Sequence, residues 1–301
     1  MADGIEAHFM LSSKPMPEGA YPDQYTKVTS YVRILSHEAL AIDPTITATP
    51  GAAWVEVDDD SPFVYRDTAT SRAGLAHLVS RFNDHRVGIV GLGGTGSYVL
   101  DQVAKTPVAL IRLIDGDFFE NHNAFRAPGA ASLDELRAHP KKVHYYRAAY
   151  SKMHRRIDAR DVFLDHDNLD LLDDLDFVFL ASDDSAAKPV VIARLEERGI
   201  PFIDVGMGVE EVDGHLTGVL RTTTSLPGQR DHVHINDRIP LGAPGGDDYG
   251  RNIQVADLNA LNALMAVLRW KRYLGFYADG TREGFSTFSI YANEISSEDC
   301  A

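Results

Sequence analysis

Arg86-Val-Gly-Ile-Val-Gly-Leu-Gly-Gly-Thr-Gly96 places a glycine-rich turn directly after an apolar strand and before a helical stretch. Because Gly91, Gly93 and Gly96 carry no side chain, the backbone can turn sharply and approach a phosphate, which then lies at the positive end of the helix. The stretch predicts a mononucleotide or dinucleotide site. A tight strand-to-helix turn that binds no ligand is the structural alternative.

From Arg86 onwards, short apolar runs alternate with helical stretches, a pattern typical of a mostly parallel sheet covered by helices. The fold class is therefore α/β: a Rossmann-like, doubly wound, mostly parallel sheet with helices on both faces. The expected strands span residues 87–90, 110–115, 177–181 and 201–205, and the expected helices span 95–105, 139–156 and 188–198.

The flanking segments are predicted from their Gly and Pro content and their apolar spacing. Residues 1–85 form a small N-terminal α+β extension, a docking or dimerisation module, with helices at 24–41 and 71–82 and a short strand at 54–57. Residues 86–301 form the nucleotide-binding domain. Its stretch 206–250 is rich in Gly and Pro, which predicts strands joined by a long mobile loop at about 220–250. A structural helix follows at 253–274.

Composition excludes several classes of protein. The chain has 29 Lys and Arg against 44 Asp and Glu, a net charge of −15, which argues against broad binding to nucleic acid or anionic membranes. No apolar run reaches the roughly 20 residues of a membrane span, and the N-terminus lacks a signal-peptide pattern, so a cytoplasmic protein is expected. Cys300 is the only cysteine, which excludes an intrachain disulfide and a cysteine-based zinc cluster.

An acidic residue follows the second expected strand. Asp115 lies nineteen residues after Gly96, where a carboxylate can accept hydrogen bonds from ribose hydroxyls. An aspartate that merely terminates the strand is the alternative, and the spacing does not separate NAD from ATP.

The motifs after this strand occur in a distinctive order. They are Ile114-Asp-Gly-Asp117, then Asn123 and Arg126, then Pro140-Lys-Lys-Val143, then Ala181-Ser-Asp-Asp184. This order resembles the ThiF/MoeB superfamily, which includes the adenylation domains of ubiquitin-activating enzymes. The resemblance covers residues 72–274. The stretch 253–262 is similar to the last helix of bacterial ThiF-type adenylyltransferases that act with ubiquitin-like proteins.

The resemblance implies a role for each motif. The phosphates of ATP would lie on Gly91, Gly93, Gly94 and Gly96, and the ribose on Asp115. Three further residues would contact the triphosphate: Asn123, Arg126 and Lys142. Mg²⁺ would be held by Asp183, with help from Asp117 or Asp184, and Arg72 would reach into the site of a partner subunit in a homodimer.

The same resemblance implies the reaction. ATP would activate the C-terminal carboxylate of a ubiquitin-like or carrier protein as an acyl-adenylate, with release of pyrophosphate, for transfer to a conjugating-enzyme-like acceptor. Several alternatives stay open: surface pairing of Arg126, Lys141 in place of Lys142, Asp183 as a helix N-cap and Arg72 as an ordinary surface side chain.

The charge distribution supports a polyphosphate site without reference to any family. Residues 126–160 carry nine Lys and Arg against three Asp and Glu, whereas residues 161–190 carry nine Asp and one Lys. A site in which cations bind a triphosphate and a neighbouring carboxylate binds a metal would have this distribution of charge. Two solvated helix faces of opposite charge are the alternative.

The sequence also departs from the superfamily. It has no CxxC pairs, so no structural zinc is expected, and residues 220–250 contain no cysteine to receive the acyl group. Transfer is then direct, or through a hydroxyl within Thr222-Thr-Thr-Ser225, or through Cys300 on a mobile tail. Asp231-His-Val-His234 places two imidazoles on one side of a strand as a weak metal site, or belongs to a polar loop.

Two other functions fit part of the sequence. An NAD(P)-dependent oxidoreductase would use the glycine turn and Asp115 but would leave Asn123, Arg126 and Lys142 without a joint purpose. A non-catalytic nucleotide-binding scaffold would explain the missing cysteine.

Overall fold

Two compact units divide the chain, Met1–Val55 and Glu56–Ala301. The computed structural model describes residues 13–15, 17, 19–44, 60–184, 186–241 and 253–300. In the first unit, helix α1 (Gln24–Ile42) agrees with the predicted helix, and it begins where the Asp23 carboxylate accepts a hydrogen bond from the Thr26 N–H at 2.6 Å. The strand predicted at 54–57 lies outside the described residues.

The second unit is built on one sheet of eight strands. Their order across the sheet is β3-β2-β1-β4-β5-β6-β7-β8. The first five strands in this order are parallel to one another, and the last three pairs are antiparallel. The strands are β1 (Arg86–Val90), β2 (Leu110–Ile114), β3 (Ile157–Arg160), β4 (Phe177–Leu180), β5 (Phe202–Val212), β6 (His215–Ser225), β7 (Glu283–Ser289) and β8 (Glu294–Cys300).

Helices cover both faces of this sheet. They are α2 (Thr68–Ala73), α3 (Ala76–Val79), α4 (Gly94–Val103), α5 (Asn121–Ala124), α6 (Leu133–Arg137), α7 (Lys142–Tyr150), α8 (Ala187–Glu197), α9 (Asp231–Ile235) and α10 (Ala256–Tyr273). Successive residues of β1 point to opposite faces, and each lies in a different apolar core. Ile89 packs with residues of α4, α7 and α10, whereas Val90 packs with residues of α8 and α9. The predicted doubly wound α/β fold is confirmed.

Two sequence predictions about secondary structure are wrong for physical reasons. The helix expected at 71–82 is interrupted because Gly74, with φ +69°, ends α2 in the left-handed conformation. The helix expected at 139–156 ends at Tyr150, and β3 follows it as a short edge strand with alternating charged residues. Residues 206–225 contain strands, as predicted, and these pair as a hairpin whose turn at Asp213 and Gly214 has φ +51° and +77°.

The C-terminal end also differs from its prediction. Strands β7 and β8 continue the sheet, and Cys300 pairs with Glu283 at the end of β8, so the predicted mobile tail is an edge strand. Of the predicted loop at 220–250, residues 220–225 belong to β6 and 231–235 to α9. Residues 242–250 lie outside the described part.

Residues 56–85, which the sequence analysis placed in the N-terminal extension, fall within the second unit. Phe82 is 1% exposed, and its ring centroid lies 5.2 Å from that of Trp270 in α10. Among the described helices, none is long and apolar enough to cross a membrane.

Candidate nucleotide-binding site

The sheet has a topological switch point at β1, which has β2 on one side and β4 on the other. One row of paired residues crosses the carboxyl ends of β3, β2, β1 and β4 and continues into β5: Arg160, Ile114, Val90, Leu180 and Asp204. Ligands of open α/β sheets bind in the crevice outside such a row, where the connections diverge.

A cleft opens at this point. Together with the open solvent at its mouth, it holds about 670 Å³. One wall is apolar, which suits a nucleobase, and the other is polar. The apolar wall includes Val162, Phe163, Leu164, Leu180 and Val191, and the polar lining includes Gly91, Gly93, Asp115, Asp117, Asp183 and Lys188.

Two glycines of the turn are required by the fold itself. Gly91 has φ +86°, and a Cβ there would lie 2.7 Å from the backbone nitrogen of Ser182. A Cβ at Gly96 would lie 1.9 Å from the carbonyl oxygen of Gly91. Both positions exclude side chains because backbone atoms, which cannot move aside, occupy the space.

Gly93 and Gly94 differ from each other. A Cβ at Gly94 would lie 2.3 Å from the side chain of Asn259, which is buried in α10. A Cβ at Gly93 would have no atom of the described residues within 4 Å, and Gly93 lines the cleft. Gly93 is therefore the glycine whose missing side chain leaves room for a ligand.

Asp115 joins the two loops of the site. Its Oδ2 accepts a hydrogen bond from Leu92 N at 2.6 Å, and its Oδ1 accepts one from Asp117 N at 2.8 Å. Each carboxylate oxygen keeps a further acceptor site for a ribose hydroxyl. The two interpretations of Asp115, as a structural strand end and as a ribose ligand, are thus compatible.

Lys142 is the lysine that meets the site carboxylates. Its Nζ lies 2.8 Å from Asp117 Oδ2 and 3.7 Å from Asp115 Oδ2, and its side chain is 9% exposed. Lys141 instead donates to the carbonyl oxygen of Gly116 at 2.6 Å and lies 3.2 Å from Asp161. The geometry favours Lys142 over Lys141 as a phosphate ligand.

Asn123 and Arg126 supply hydrogen-bond donors that lack acceptors. Asn123 is 1% exposed and its Oδ1 accepts from Glu120 N, but its Nδ2 has no partner in the described part of the chain. The buried Nε of Arg126 likewise has none there. Arg126 therefore forms no surface pair with Asp117 or Glu120. Buried donors without acceptors are costly, and phosphate oxygens would satisfy them.

Arg126 follows α5 in the connection after β2, and it does not line the cleft. Burial raises the pKa of the Tyr146 hydroxyl; the charge of Asp115 raises that pKa further, while Arg126 lowers it. The charges of Asp115 and Arg126 thus both act on this buried hydroxyl.

The two aspartates after β4 have separate roles. Asp184 Oδ1 accepts hydrogen bonds from Ala186 N at 2.9 Å and Ala187 N at 3.1 Å, so Asp184 caps α8. The helix-capping role that was the alternative for Asp183 therefore belongs to Asp184. Asp183 is exposed and lines the cleft.

This arrangement fits a magnesium ion that arrives with a nucleotide. No group of three metal-binding side chains occurs among the described residues. Mg²⁺ usually takes one or two carboxylates and completes its shell with phosphate oxygens and water. Asp183, an exposed carboxylate of the cleft, meets that requirement.

Other predicted residues lie elsewhere. Arg72 is exposed on α2 and does not line the cleft of its own chain. Part of the acidic segment 161–190 forms ion pairs, since Asp173 pairs with Arg194 and Asp174 with Arg112. Its aspartates that line the cleft are Asp183 and Asp184.

The candidates for acyl transfer and for a second metal do not form sites. Thr222, Thr223, Thr224 and Ser225 belong to β6 and are at most 3% exposed, so the predicted loop hydroxyls are buried strand residues. The two imidazoles lie on α9, not on a strand. His232 contacts the Thr224 carbonyl at 2.9 Å and His234 contacts Glu196 at 3.0 Å, in separate directions.

Two residues of the cleft lie outside the sequence motifs. Phe163 packs over the turn at Gly116, where a Cβ would lie 2.6 Å from its ring. Lys188 lines the cleft beside Asp183 and Asp184. The signal for Lys188 was its position as the one basic residue in an acidic segment.

Comparison with known proteins identifies the family. A profile of the ThiF family matches residues 66–240, more than half of the chain. The chain belongs to the ThiF family. A profile described as a domain of unknown function, DUF6791, matches residues 1–68, ahead of the ThiF match.

Two curated relatives carry the name ubiquitin-like modifier-activating enzyme 5. The one from Drosophila ananassae is 25% identical over 172 residues, which cover 54% of this ThiF chain and 43% of the relative. The one from Caenorhabditis elegans is 26% identical over 171 residues, covering 54% and 41%. The chain thus spans less than half the length of these relatives.

Solved structures share the fold. PaaA superposes with a TM-score of 0.59 at 17% identity, over 92% of this chain and 83% of PaaA. E. coli MccB gives a TM-score of 0.59 at 17% identity, over 78% of this chain and 70% of MccB. At these identities the likeness extends to the fold alone.

Proposed function

We propose that this ThiF-family chain is an ATP-dependent adenylyltransferase. It activates the C-terminal carboxylate of a ubiquitin-like or carrier protein as an acyl-adenylate, and pyrophosphate is released. The acyl group then passes to an acceptor on a partner protein.

The observation that carries the proposal is the division of charge around Gly93. Asn123 Nδ2 and Arg126 Nε, which have no acceptor in the described part of the chain, belong with Lys142 to the connection after β2, and the carboxylate of Asp183 lies in the connection after β4. A triphosphate that crosses the glycine turn would satisfy the donors, and its metal would lie near Asp183. A nicotinamide dinucleotide would leave most of these groups unused.

The chemistry needs no covalent nucleophile on the protein. A carboxylate oxygen attacks the α-phosphorus of ATP while the bond to pyrophosphate breaks, so positioning and charge stabilisation supply the catalysis. Arg126 and Lys142 stabilise the charge that develops on the phosphates, Asp115 orients the ribose, and Asp183 holds Mg²⁺. The apolar wall that includes Phe163 takes the base.

Known proteins support the nature of both substrates. MccB has been solved with ATP at a TM-score of 0.55 to this chain, and with MccA. The curated relatives are named as activators of ubiquitin-like modifiers. A protein or peptide carboxylate is therefore the substrate class that we infer.

The remaining parts of the proposal concern assembly. The chain acts as a homodimer in which Arg72 of one subunit completes the site of the other. The N-terminal extension, residues 1–85, docks a partner protein, and the ThiF-type domain, residues 86–301, carries the adenylation site. Transfer is direct, to a conjugating-enzyme-like acceptor. The buried hydroxyls of Thr222–Ser225 and the edge position of Cys300 support direct transfer.

The test is the melting temperature with Mg·ATP, with NAD⁺ and with neither. A ligand that binds only the folded protein at a hundred times its Kd stabilises it by about 2.7 kcal/mol. We expect a shift with Mg·ATP that weakens in Asp183→Ala. Asp134→Ala, which removes a carboxylate that is 94% exposed on α6, serves as the matched control and keeps the full shift.

Two outcomes would favour other functions. A shift with NAD⁺ alone would indicate an oxidoreductase. Binding of Mg·ATP without pyrophosphate formation, when carboxylate partners are supplied, would indicate a nucleotide-binding scaffold.

A further inference from the structure

A buried charge cluster adjoins the cleft on the side away from Asn123, Arg126 and Lys142. Asp204 of β5 is 0% exposed and lies between two cations. Lys188 Nζ lies 2.8 Å from Asp204 Oδ1, and Arg221 Nη2 lies 2.6 Å from Asp204 Oδ2. One carboxylate shared by two cations leaves a net positive charge in the cluster.

The two cations are held differently. Arg221 also donates to Thr223 Oγ1 at 2.7 Å and to the carbonyl oxygen of Arg238 at 2.8 Å, so its guanidinium is fixed within the fold. Lys188 lies in the first turn of α8, is 11% exposed and lines the cleft. The excess positive charge is therefore presented to the cleft by Lys188.

The order of the strands places this charge opposite the phosphate donors. Asn123, Arg126 and Lys142 belong to the connection between β2 and β3, whereas Asp204 lies near the start of β5 and Lys188 near the start of α8. Asp204 pairs with Leu180, the last residue of β4, and so lies level with the glycine turn across the sheet. From β2 to β5 the sheet spans about 14 Å, with Gly93 between them.

Phosphoryl transfer has its own geometric requirement. The attacking and leaving oxygens lie roughly in line on opposite sides of the phosphorus. If the α-phosphorus lies over the glycine turn and the pyrophosphate lies with Arg126 and Lys142, the attacking oxygen must come from the β5 side. That side of the cleft also carries Asp183, which would be bound to Mg²⁺, and the carboxylate of Asp184, which repels an incoming anion.

We propose that Lys188, held by Asp204, binds the carboxylate of the substrate that is to be adenylated and aligns it for attack on the α-phosphorus. This assignment rests on the proposed function and adds the residue that receives the second substrate. One carboxylate oxygen forms the new bond to phosphorus as the bond to pyrophosphate breaks, and the other oxygen accepts a hydrogen bond from Nζ. The step moves no proton, and Lys188 stays charged throughout.

The experiment compares two probes by titration calorimetry. The first is Mg·ATP, and the second is 5′-O-[N-(N-acetylglycyl)sulfamoyl]adenosine, a stable analogue of an acyl-adenylate that carries the acyl carbonyl. Loss of one hydrogen bond to a charged group weakens binding by about ten- to a hundredfold. We expect that loss for the analogue in Lys188→Met, with the affinity for Mg·ATP changed less than threefold. Lys188→Arg, which retains the charge, recovers most of the loss.

Controls and contrary results follow from the same titrations. Retained binding of Mg·ATP shows that each variant is folded. Lys105→Met removes a lysine paired with Asp101 on the surface of α4 and should change neither affinity. Equal losses of affinity for both probes in Lys188→Met, or no loss for either, would overturn the role of Lys188 but not the proposed adenylation. Wild-type protein that does not bind Mg·ATP, or binds it but not the analogue, would refute the proposed adenylation and the assignment with it.

Discussion

Alanine at Gly93 should separate ligand binding from folding. Gly93 has φ −69°, outside the left-handed region, and an added Cβ would meet no described atom within 4 Å. Alanine is less favourable than glycine as the N-cap of α4, by about 0.5–1 kcal/mol. It also reduces the entropy of the unfolded chain by a similar amount, about 0.4–1 kcal/mol. The two effects oppose each other, so we expect stability to change by less than about 1 kcal/mol.

The affinity for Mg·ATP should fall in the same variant. The new methyl group points into the cleft, where a phosphate would approach the backbone N–H groups of the turn. A lost hydrogen bond to a charged group costs about 1.5–3 kcal/mol, which is about a 10- to 150-fold weaker Kd. Calorimetric titration with Mg·ATP measures this loss, and thermal melting without ligand measures stability.

Gly96→Ala is the matched control for Gly93→Ala. Its Cβ would lie 1.9 Å from the Gly91 carbonyl oxygen, so the backbone must shift. We expect at least about 3 kcal/mol of destabilisation, a fall in Tm of roughly 6–12 °C, against less than about 3 °C for Gly93→Ala. Equal falls in Tm, or an unchanged affinity for Mg·ATP in Gly93→Ala, would refute the reasoning.

Three further predictions concern charge, pH and transfer. Lys142→Met should lower the rate of ATP–pyrophosphate exchange by about a hundredfold or more. Lys141→Met should lower it by less than tenfold, because of these two lysines only Lys142 contacts Asp115 and Asp117. Equal effects of the two substitutions would contradict the role of Lys142. His154 is 0% exposed, and burial lowers its pKa to about 4 from 6.5, so only the unfolded state gains a proton between these pH values. Stability should therefore fall by up to about 3 kcal/mol as the pH drops from 6.5 to 4, and urea unfolding of His154→Gln should lack this part of the slope. Cys300→Ser should leave acyl transfer unchanged in a gel assay with the partner proteins, since β8 lies four strands from β4, on the order of 20 Å away; a loss of transfer would implicate the thiol.

The sequence predicts the parallel half of the sheet well because its signals are local. Each of these strands except β3 is an apolar run bounded by a helix, and the glycine turn marks the switch point. The antiparallel half depends on long-range pairing. In β7 and β8 the polar content is high, and the pattern does not reveal that Glu283 pairs with Cys300. Positive φ at Gly74 and Asp213 is by contrast a local feature, since a glycine that ends a helix and an Asp-Gly hairpin turn are both signals within the sequence.

The candidate site divides in the same way. Motif spacing is enough to predict that Gly91, Asp115 and Asp183 lie along one cleft, because the carboxyl ends of parallel strands share one edge. It does not distinguish the role of Gly93 from that of Gly94, which depends on Asn259 from a helix far along the chain. Nor does it find Lys188, whose partner Asp204 becomes its neighbour only through the pairing of β4 with β5.

The most direct test of the central claim is exchange of labelled pyrophosphate into ATP. The wild-type chain and Asp183→Ala would each be assayed with a ubiquitin-like or carrier protein that ends in a free carboxylate, and with the same protein amidated at its C-terminus. We expect exchange only for the wild-type chain with the free carboxylate. Exchange that persists with the amidated protein, or its absence with every free carboxylate while Mg·ATP still binds, would contradict adenylation of a C-terminal carboxylate.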